Sequence, residues 1–181
     1  MAKLNKAVIM DRDGTVMKDS HYLSDPEGVK IYKGVLGALR QLEKKGWNLI
    51  IGTNQSGVGR GYFTMDTVDK IHRKFLSVCR KNGVNIRQIF VCPHRPDEHC
   101  RCRKPKTGML TDAAKKFKLD LKECVVVGDK ICDIDWGKNV GAKTVLVLTG
   151  KGQKTRAKGK ARPHHVSRSL PHAARWIMDN A

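Results

Sequence analysis

Four short apolar runs, each stopping abruptly on polar or glycine residues, constrain this 181-residue chain more than any other feature. They end at Asp11, at Thr53-Asn54, at Cys92-Pro93 and at Gly128-Asp129. Runs this short and this uniformly apolar suit strands buried on both faces of a parallel sheet. The spacing predicts strands over 6–10, 48–53, 88–92, 124–127 and 144–148, with a short edge strand at 165–166. Amphipathic helices are predicted between them over 34–45, 64–82, 107–117, 131–140 and 170–178. Strand and helix alternate from end to end, which implies an α/β, Rossmann-like, doubly wound parallel sheet in one domain over 1–181. In such a sheet ligands bind at the carboxyl ends of the strands, where the polar residues fall.

No apolar run approaches the roughly 20 residues that a membrane span needs. Met1 to Lys6 leads straight into the first strand and leaves no room for a signal peptide, so a cytoplasmic location is expected. The six cysteines (79, 92, 100, 102, 124 and 132) are then read as thiols or metal ligands, not disulfides. Cys79, Cys124 and Cys132 fall on predicted helices or strands and are expected to be buried free thiols.

Lysine and arginine total 36 against 17 acidic residues, a net charge of +19. A field of this sign attracts phosphorylated small molecules, nucleic acid or acidic surfaces. Residues 151–162 carry six positive side chains, no acid and two glycines. That composition predicts a mobile basic linker over 151–163, followed by a terminal strand and helix over 164–181.

Asp11 and Asp13 stand one residue apart just past the first strand, so their side chains are expected to face one spot. Two carboxylates so placed are either solvated at a strand end or have a cation or proton between them. Thr53 brings a hydroxyl to the end of the second strand, where neighbouring N–H groups can hold phosphoryl oxygens. Lys104 could supply a fixed positive charge to a transferring phosphate, and Arg103 could grip an oxyanion with two N–H groups. Asp129 ends the fourth strand. Asp11, Asp13 and Asp129 together could hold a hard divalent ion, most naturally Mg2+.

In these residues the chain resembles the haloacid-dehalogenase-type phosphatases. The family's motifs occur in order as Asp11-Arg12-Asp13-Gly14-Thr15, Thr53, Lys104, and Gly128-Asp129 with Asp133, over residues 6 to about 150. The resemblance implies a catalytic set of Asp11 as nucleophile, Asp13 as general acid and base, and Thr53 and Lys104 holding the transferring oxygens. It also implies a required Mg2+, held by Asp11, Asp129 and the main-chain carbonyl of Asp13.

A second cluster, Cys92-Pro93-His94 with Cys100-Arg101-Cys102, offers three thiols and an imidazole. These residues could close a structural, tetrahedral Zn2+ site or remain free thiols, and His99 is an alternative ligand. The loop followed by Arg103-Lys104-Pro105 is similar to that of the D-glycero-D-manno-heptose 1,7-bisphosphate 7-phosphatases, which remove the 7-phosphate through an aspartyl phosphate. Histidinol-phosphate phosphatases share most of these motifs. The resemblance implies that Asp19, Ser20, His21, Tyr22, Asn54, Gln55, Ser56, Arg103 and Lys130 contact a small phosphorylated sugar.

No large insertion follows Thr15 or the third strand, so a capless, open site is expected, bordered by the zinc-type loop and residues 18–32. A monomer is expected, without a membrane partner. The positive charge leaves nucleic acid open, including a polynucleotide 3′-phosphatase activity, but ten scattered aromatics make no stacking platform. A catalytically silent binding module on the same fold would have no need for Asp11, Asp13, Lys104 and Asp129 together.

Overall fold

The computed structural model describes residues 6–181. The expectation about the amino terminus therefore rests on residues 1–5, which lie outside the described residues. Six strands form one sheet: β1 (Ala7–Met10), β2 (Asn48–Asn54), β3 (Ile86–Cys92), β4 (Val125–Gly128), β5 (Lys143–Val147) and β6 (His165–Ser167). The order is β3-β2-β1-β4-β5-β6, and every adjacent pair is parallel. The helices are α1 (Val35–Lys44), α2 (Met65–Lys81), α3 (Gly108–Phe117), α4 (Ile131–Lys138), α5 (Gly152–Ala157) and α6 (Leu170–Asn180).

The period of two along each central strand divides the core between the two faces. Val8, Met10, Leu49, Ile51, Val125 and Val127 pack with Leu39 and Leu42 of α1, Phe75 of α2 and Ile177 of α6. Ala7, Ile9, Ile50 and Val126 point the other way, against Met109 and Leu110 of α3 and Trp136 of α4. Both faces of the strands are covered, so the uniform apolar runs follow from the architecture. Strand order reverses between β1 and β4, which opens a crevice at their carboxyl ends.

Between β1 and α1 the chain makes a loop with one short 3-10 turn, Pro26–Gly28. Between β3 and α3 it makes another with a single turn at Pro96–Glu98. Among the described residues neither segment builds a further domain over the crevice. Among the described residues no helix is long and apolar enough to cross a membrane.

The basic stretch departs from expectation. Residues 152–157, read as part of a mobile linker, form α5. A six-residue helix without an apolar face leaves no periodic signal, and this one is held by polar ties to the crevice. The Lys151 amide donates to Asp129 Oδ2 at 2.7 Å, and Thr155 Oγ1 donates to the Asp129 carbonyl at 2.8 Å. Gly152 lies so close to the Val147 carbonyl that a Cβ would sit 1.7 Å from its oxygen. Cys132 is a second departure: Cys79 and Cys124 are buried, but Cys132 is only half-buried and faces the crevice.

Candidate active site

Asp11 leaves β1 with its amide bonded to the Val127 carbonyl, so β1 and β4 end together at the switch point. Gly14 follows with φ of 91°, and a Cβ there would fall 2.3 Å from Asp129 Oδ2, so only glycine fits the turn. Asp11, Asp129 and Asp133 bring carboxylate oxygens within 4.8 Å of one another, and all three residues are buried.

Two lysines meet this charge. Lys104 Nζ lies 2.6 Å from both Asp11 Oδ1 and Asp133 Oδ1, and it also donates to the Gly52 carbonyl at 3.0 Å. The chain around Lys104 is fixed by Asn54, whose Oδ1 accepts from the Lys104 amide at 3.1 Å. Gly52 makes room for the Trp136 ring, which a Cβ would meet at 2.3 Å, and the lysine ammonium lies 5.2 Å from that ring's centroid. The second lysine, Lys130, places Nζ 3.4 Å from Asp11 Oδ2, 3.5 Å from Asp129 Oδ1 and 3.3 Å from the Asp13 carbonyl.

Burial opposes charge on Asp11, but Lys104 and Lys130 outweigh it and hold the carboxyl below its ordinary range. Burial pushes Asp129 up to about 7, helped by Asp11 and Asp133 and opposed by Lys130. Asp133 is also raised, by burial and by Asp11 against the pull of Lys104. Lys104 is held above its ordinary value, because Asp11 and Asp133 overcome its desolvation. Asp11 is thus an ionised carboxylate at the floor of the crevice, gripped on one oxygen and open towards Lys130 on the other.

The same donor set fits Mg2+. Asp11 Oδ2, Asp129 Oδ1 and the Asp13 carbonyl converge on one cation, the Lys130 ammonium, and Asp129 Oδ1 has no hydrogen-bond donor. Hard oxygens from two carboxylates and a carbonyl suit a small divalent ion. Asp133 is committed elsewhere: Lys104 holds one oxygen, and the Lys130 amide donates to the other at 3.0 Å.

The Asp13 carboxylate turns away from this cluster. Arg12 Nε and Nη2 donate to it at 3.1 and 2.9 Å, and Gln55 Nε2 donates at 2.8 Å. Gln55 also donates to Thr53 Oγ1 at 2.7 Å. Thr53 and Gln55 are buried.

A cavity of 270 Å³ opens above, lined on one wall by Asp19, Ser20, His21 and Tyr22 and on another by Asn54, Gln55 and Ser56. Arg103, Lys130 and Lys151 add positive charge, with Asp13 and Cys132 at the base. Burial pushes the Cys132 thiol up to about 12, so it stays protonated beside the acids. His21 and Tyr22 both adopt positive φ, at 47° and 60°, and Tyr22 packs edge-on against Tyr62 with centroids 4.8 Å apart.

Behind Arg103, Cys92 Sγ lies 3.6 Å from Cys100 Sγ and 3.7 Å from His94 Nδ1, and Cys102 Sγ lies 3.5 Å from Cys100 Sγ and 3.2 Å from His94 Nδ1. Zn–S and Zn–N bonds of about 2.3 and 2.0 Å give tetrahedral edges of about 3.5–3.8 Å, close to these separations. His99 is not part of the group. Arg103 Nη1 donates to the His94 carbonyl at 3.1 Å, joining this cluster to the cavity.

Three residues at the site had been given no role by sequence. Asp133 stood only as a motif member, although an acid three residues into a helix is a capping signal. Arg12 passed as the spacer between two aspartates. His72 falls one turn after Val68 in α2, and nothing in the sequence singles it out.

The family profile described as HAD-hydrolase-like matches residues 101–173. The D-glycero-beta-D-manno-heptose-1,7-bisphosphate 7-phosphatase of Pseudomonas putida is 41% identical over 96% of this chain and 99% of its own. The enzyme of the same name from Neisseria meningitidis serogroup A is 38% identical over 96% and 95%. The crystal structure of D,D-heptose 1,7-bisphosphate phosphatase from B. bronchiseptica, complexed with magnesium and phosphate, superposes with a TM-score of 0.91 at 36% identity, covering 97% of this chain and 99% of that one. The chain belongs to the haloacid-dehalogenase-type phosphatases, in the D-glycero-D-manno-heptose-1,7-bisphosphate 7-phosphatase family, and is a phosphoric monoester hydrolase.

Proposed function

We propose that this single-domain chain hydrolyses the 7-phosphate of D-glycero-D-manno-heptose 1,7-bisphosphate, with Asp11 as the nucleophile. The observation that carries the reading is the buried, ionised Asp11 bridged to Asp133 through Lys104 at 2.6 Å on each side. Phosphate monoesters are among the slowest compounds to hydrolyse unaided, so positioning and charge neutralisation carry most of the acceleration. Asp11 attacks phosphorus and the ester oxygen leaves with a proton from Asp13. Water then attacks the aspartyl phosphate, and Asp13 takes the water's proton. Lys104, already on Asp11, and Thr53 hold the transferring oxygens.

Asp11, Asp129 and the Asp13 carbonyl would hold Mg2+, which when bound neutralises repulsion between the attacking carboxylate and the phosphate dianion. Cys92, His94, Cys100 and Cys102 would hold a structural Zn2+ with no open position. Arg103, Lys130 and Lys151 suit a substrate with a second phosphate, because two anionic ends call for additional cations.

The test is phosphate release with Mg2+ from heptose 1,7-bisphosphate, histidinol phosphate, fructose 1,6-bisphosphate and a 3′-phosphorylated oligonucleotide. The heptose bisphosphate should give the highest kcat/KM, at least about tenfold above the others. A preference for histidinol phosphate or the oligonucleotide overturns the substrate assignment. Asp11→Asn should lose at least about a thousandfold in kcat, and a variant retaining full activity would exclude the covalent route.

A further inference from the structure

We infer that Arg12 and His72 are positioning residues that hold Asp13 for the second half of the reaction, in which water attacks the phosphorylated Asp11. The inference rests on the reading of Asp11 as nucleophile and Asp13 as its acid–base partner.

Arg12 is almost wholly buried, with 1% of its surface exposed. A guanidinium only donates, so every buried N–H needs an acceptor. Nε and Nη2 fork onto the two oxygens of Asp13, and Nη1 points the other way to His72 Nε2 at 2.8 Å. Because Arg12 is the donor, His72 Nε2 must carry the lone pair and its ring proton sits on Nδ1. His72 itself is buried in α2, a turn after Val68 and beside Ile71 and Phe75. A buried ring on α2 thus fixes the far end of the guanidinium, and the near end fixes the carboxylate.

The opposite side of Asp13 is held by Gln55, which also reaches Thr53. Asp13 keeps 17% of its side chain open to the cavity, enough to meet one water. In the hydrolytic step a water oxygen forms a bond to phosphorus and the bond from phosphorus to Asp11 breaks. Its electron pair returns to the Asp11 carboxylate, and the water's proton passes to Asp13. The base has to be aimed at the attacking water, so orientation of Asp13 sets the rate of this step.

The two half-reactions separate with p-nitrophenyl phosphate, whose leaving group departs without a proton. Phosphorylation of Asp11 then needs no acid, whereas loss of the phosphoryl group still needs the base. For His72→Leu the phosphoenzyme should decay about thirtyfold more slowly than in the wild type. Nitrophenolate should appear as a burst approaching one equivalent per site, and kcat and KM should fall together so that kcat/KM stays within about twofold. His72→Gln supplies a carbonyl acceptor for Nη1 and should restore decay to within about threefold. Should His72→Leu not fold, Arg12→Lys provides the same readout, since an ammonium cannot fork onto Asp13 and reach His72 at once.

A parallel loss of kcat and kcat/KM, or an unchanged rate of phosphoenzyme decay, would overturn the positioning role. If the wild type releases nitrophenolate and yet neither it nor the variants ever carries phosphate on Asp11, the covalent reading fails instead, and the inference with it.

Discussion

The chain holds two clusters of potential metal ligands within one loop of each other, and they are built on opposite principles. Asp11, Asp129 and Asp133 are buried at strand and helix ends and contain their own cations, Lys104 and Lys130. Cys92, His94, Cys100 and Cys102 are mostly half-buried on a loop, with their ligand atoms gathered against one another. The first cluster is compensated from within, so its geometry does not require a metal in order to form. The zinc proposed for the second would offset its thiolates and tie the loop together. On the proposed reading, catalysis falls to the first cluster and scaffolding to the second.

Breaking the sulfur cluster should give the larger effect. Cys102→Ser removes one of four ligands, two residues from Lys104 and next to Arg103, which is itself bonded to the His94 carbonyl. The expected outcome is loss of bound zinc, proteolytic cleavage within 93–103, and about a hundredfold lower kcat/KM as the two cations lose their support. Zinc content by atomic absorption and limited proteolysis measure the first two. Full activity and an uncut loop in zinc-free protein would mean that the loop, like the acid cluster, stands without its metal.

How much of this was legible in the sequence follows the same division. The sheet, its helices and the polar strand ends were readable because period and strand termini are written locally, in runs such as Val125–Gly128 followed by Asp129. The grouping of Cys92, Cys100 and Cys102 with a histidine was readable from spacing, although the choice between His94 and His99 needed the fold. What escaped were contacts between distant segments. The pairing of Lys104 with Asp133, Arg12 with His72, and Lys151 with Asp129 joins residues whose types are unremarkable alone. The helix α5 escaped for a related reason, since polar ties and one close glycine hold it in place of an apolar stripe.

Removing an internal cation should sharpen the comparison with a smaller effect. Lys130 Nζ stands at the point where Asp11, Asp129 and the Asp13 carbonyl converge. A magnesium ion held by those oxygens would displace the ammonium, so Lys130→Met should bind Mg2+ about tenfold more tightly in calorimetry. Charges about 4 Å apart near a protein surface interact by roughly 4 kcal/mol, and water reaching the displaced lysine leaves about a third of that. Unchanged or weaker Mg2+ binding would show that the lysine does not compete for the site.

The smallest effect lies at the outer edge of the compensated cluster and concerns stability instead of turnover. Burial, aided by the nearby Arg12 charge, lowers the His72 pKa from 6.5 to about 3. Between those two values the unfolded chain binds a proton that the folded chain refuses, so folding weakens as pH falls through this window and is unaffected by His72 above it. One group gives a slope of at most about 1.4 kcal/mol per pH unit. His72→Gln keeps an acceptor for Arg12 but does not titrate, so its urea midpoint should fall less steeply than that of the wild type from pH 6 to pH 4. Parallel acid profiles would mean that His72 takes up its proton without unfolding. Arg12 would then lose the acceptor that turns its other two N–H groups towards Asp13, and the compensation would end at Asp13 without extending into α2.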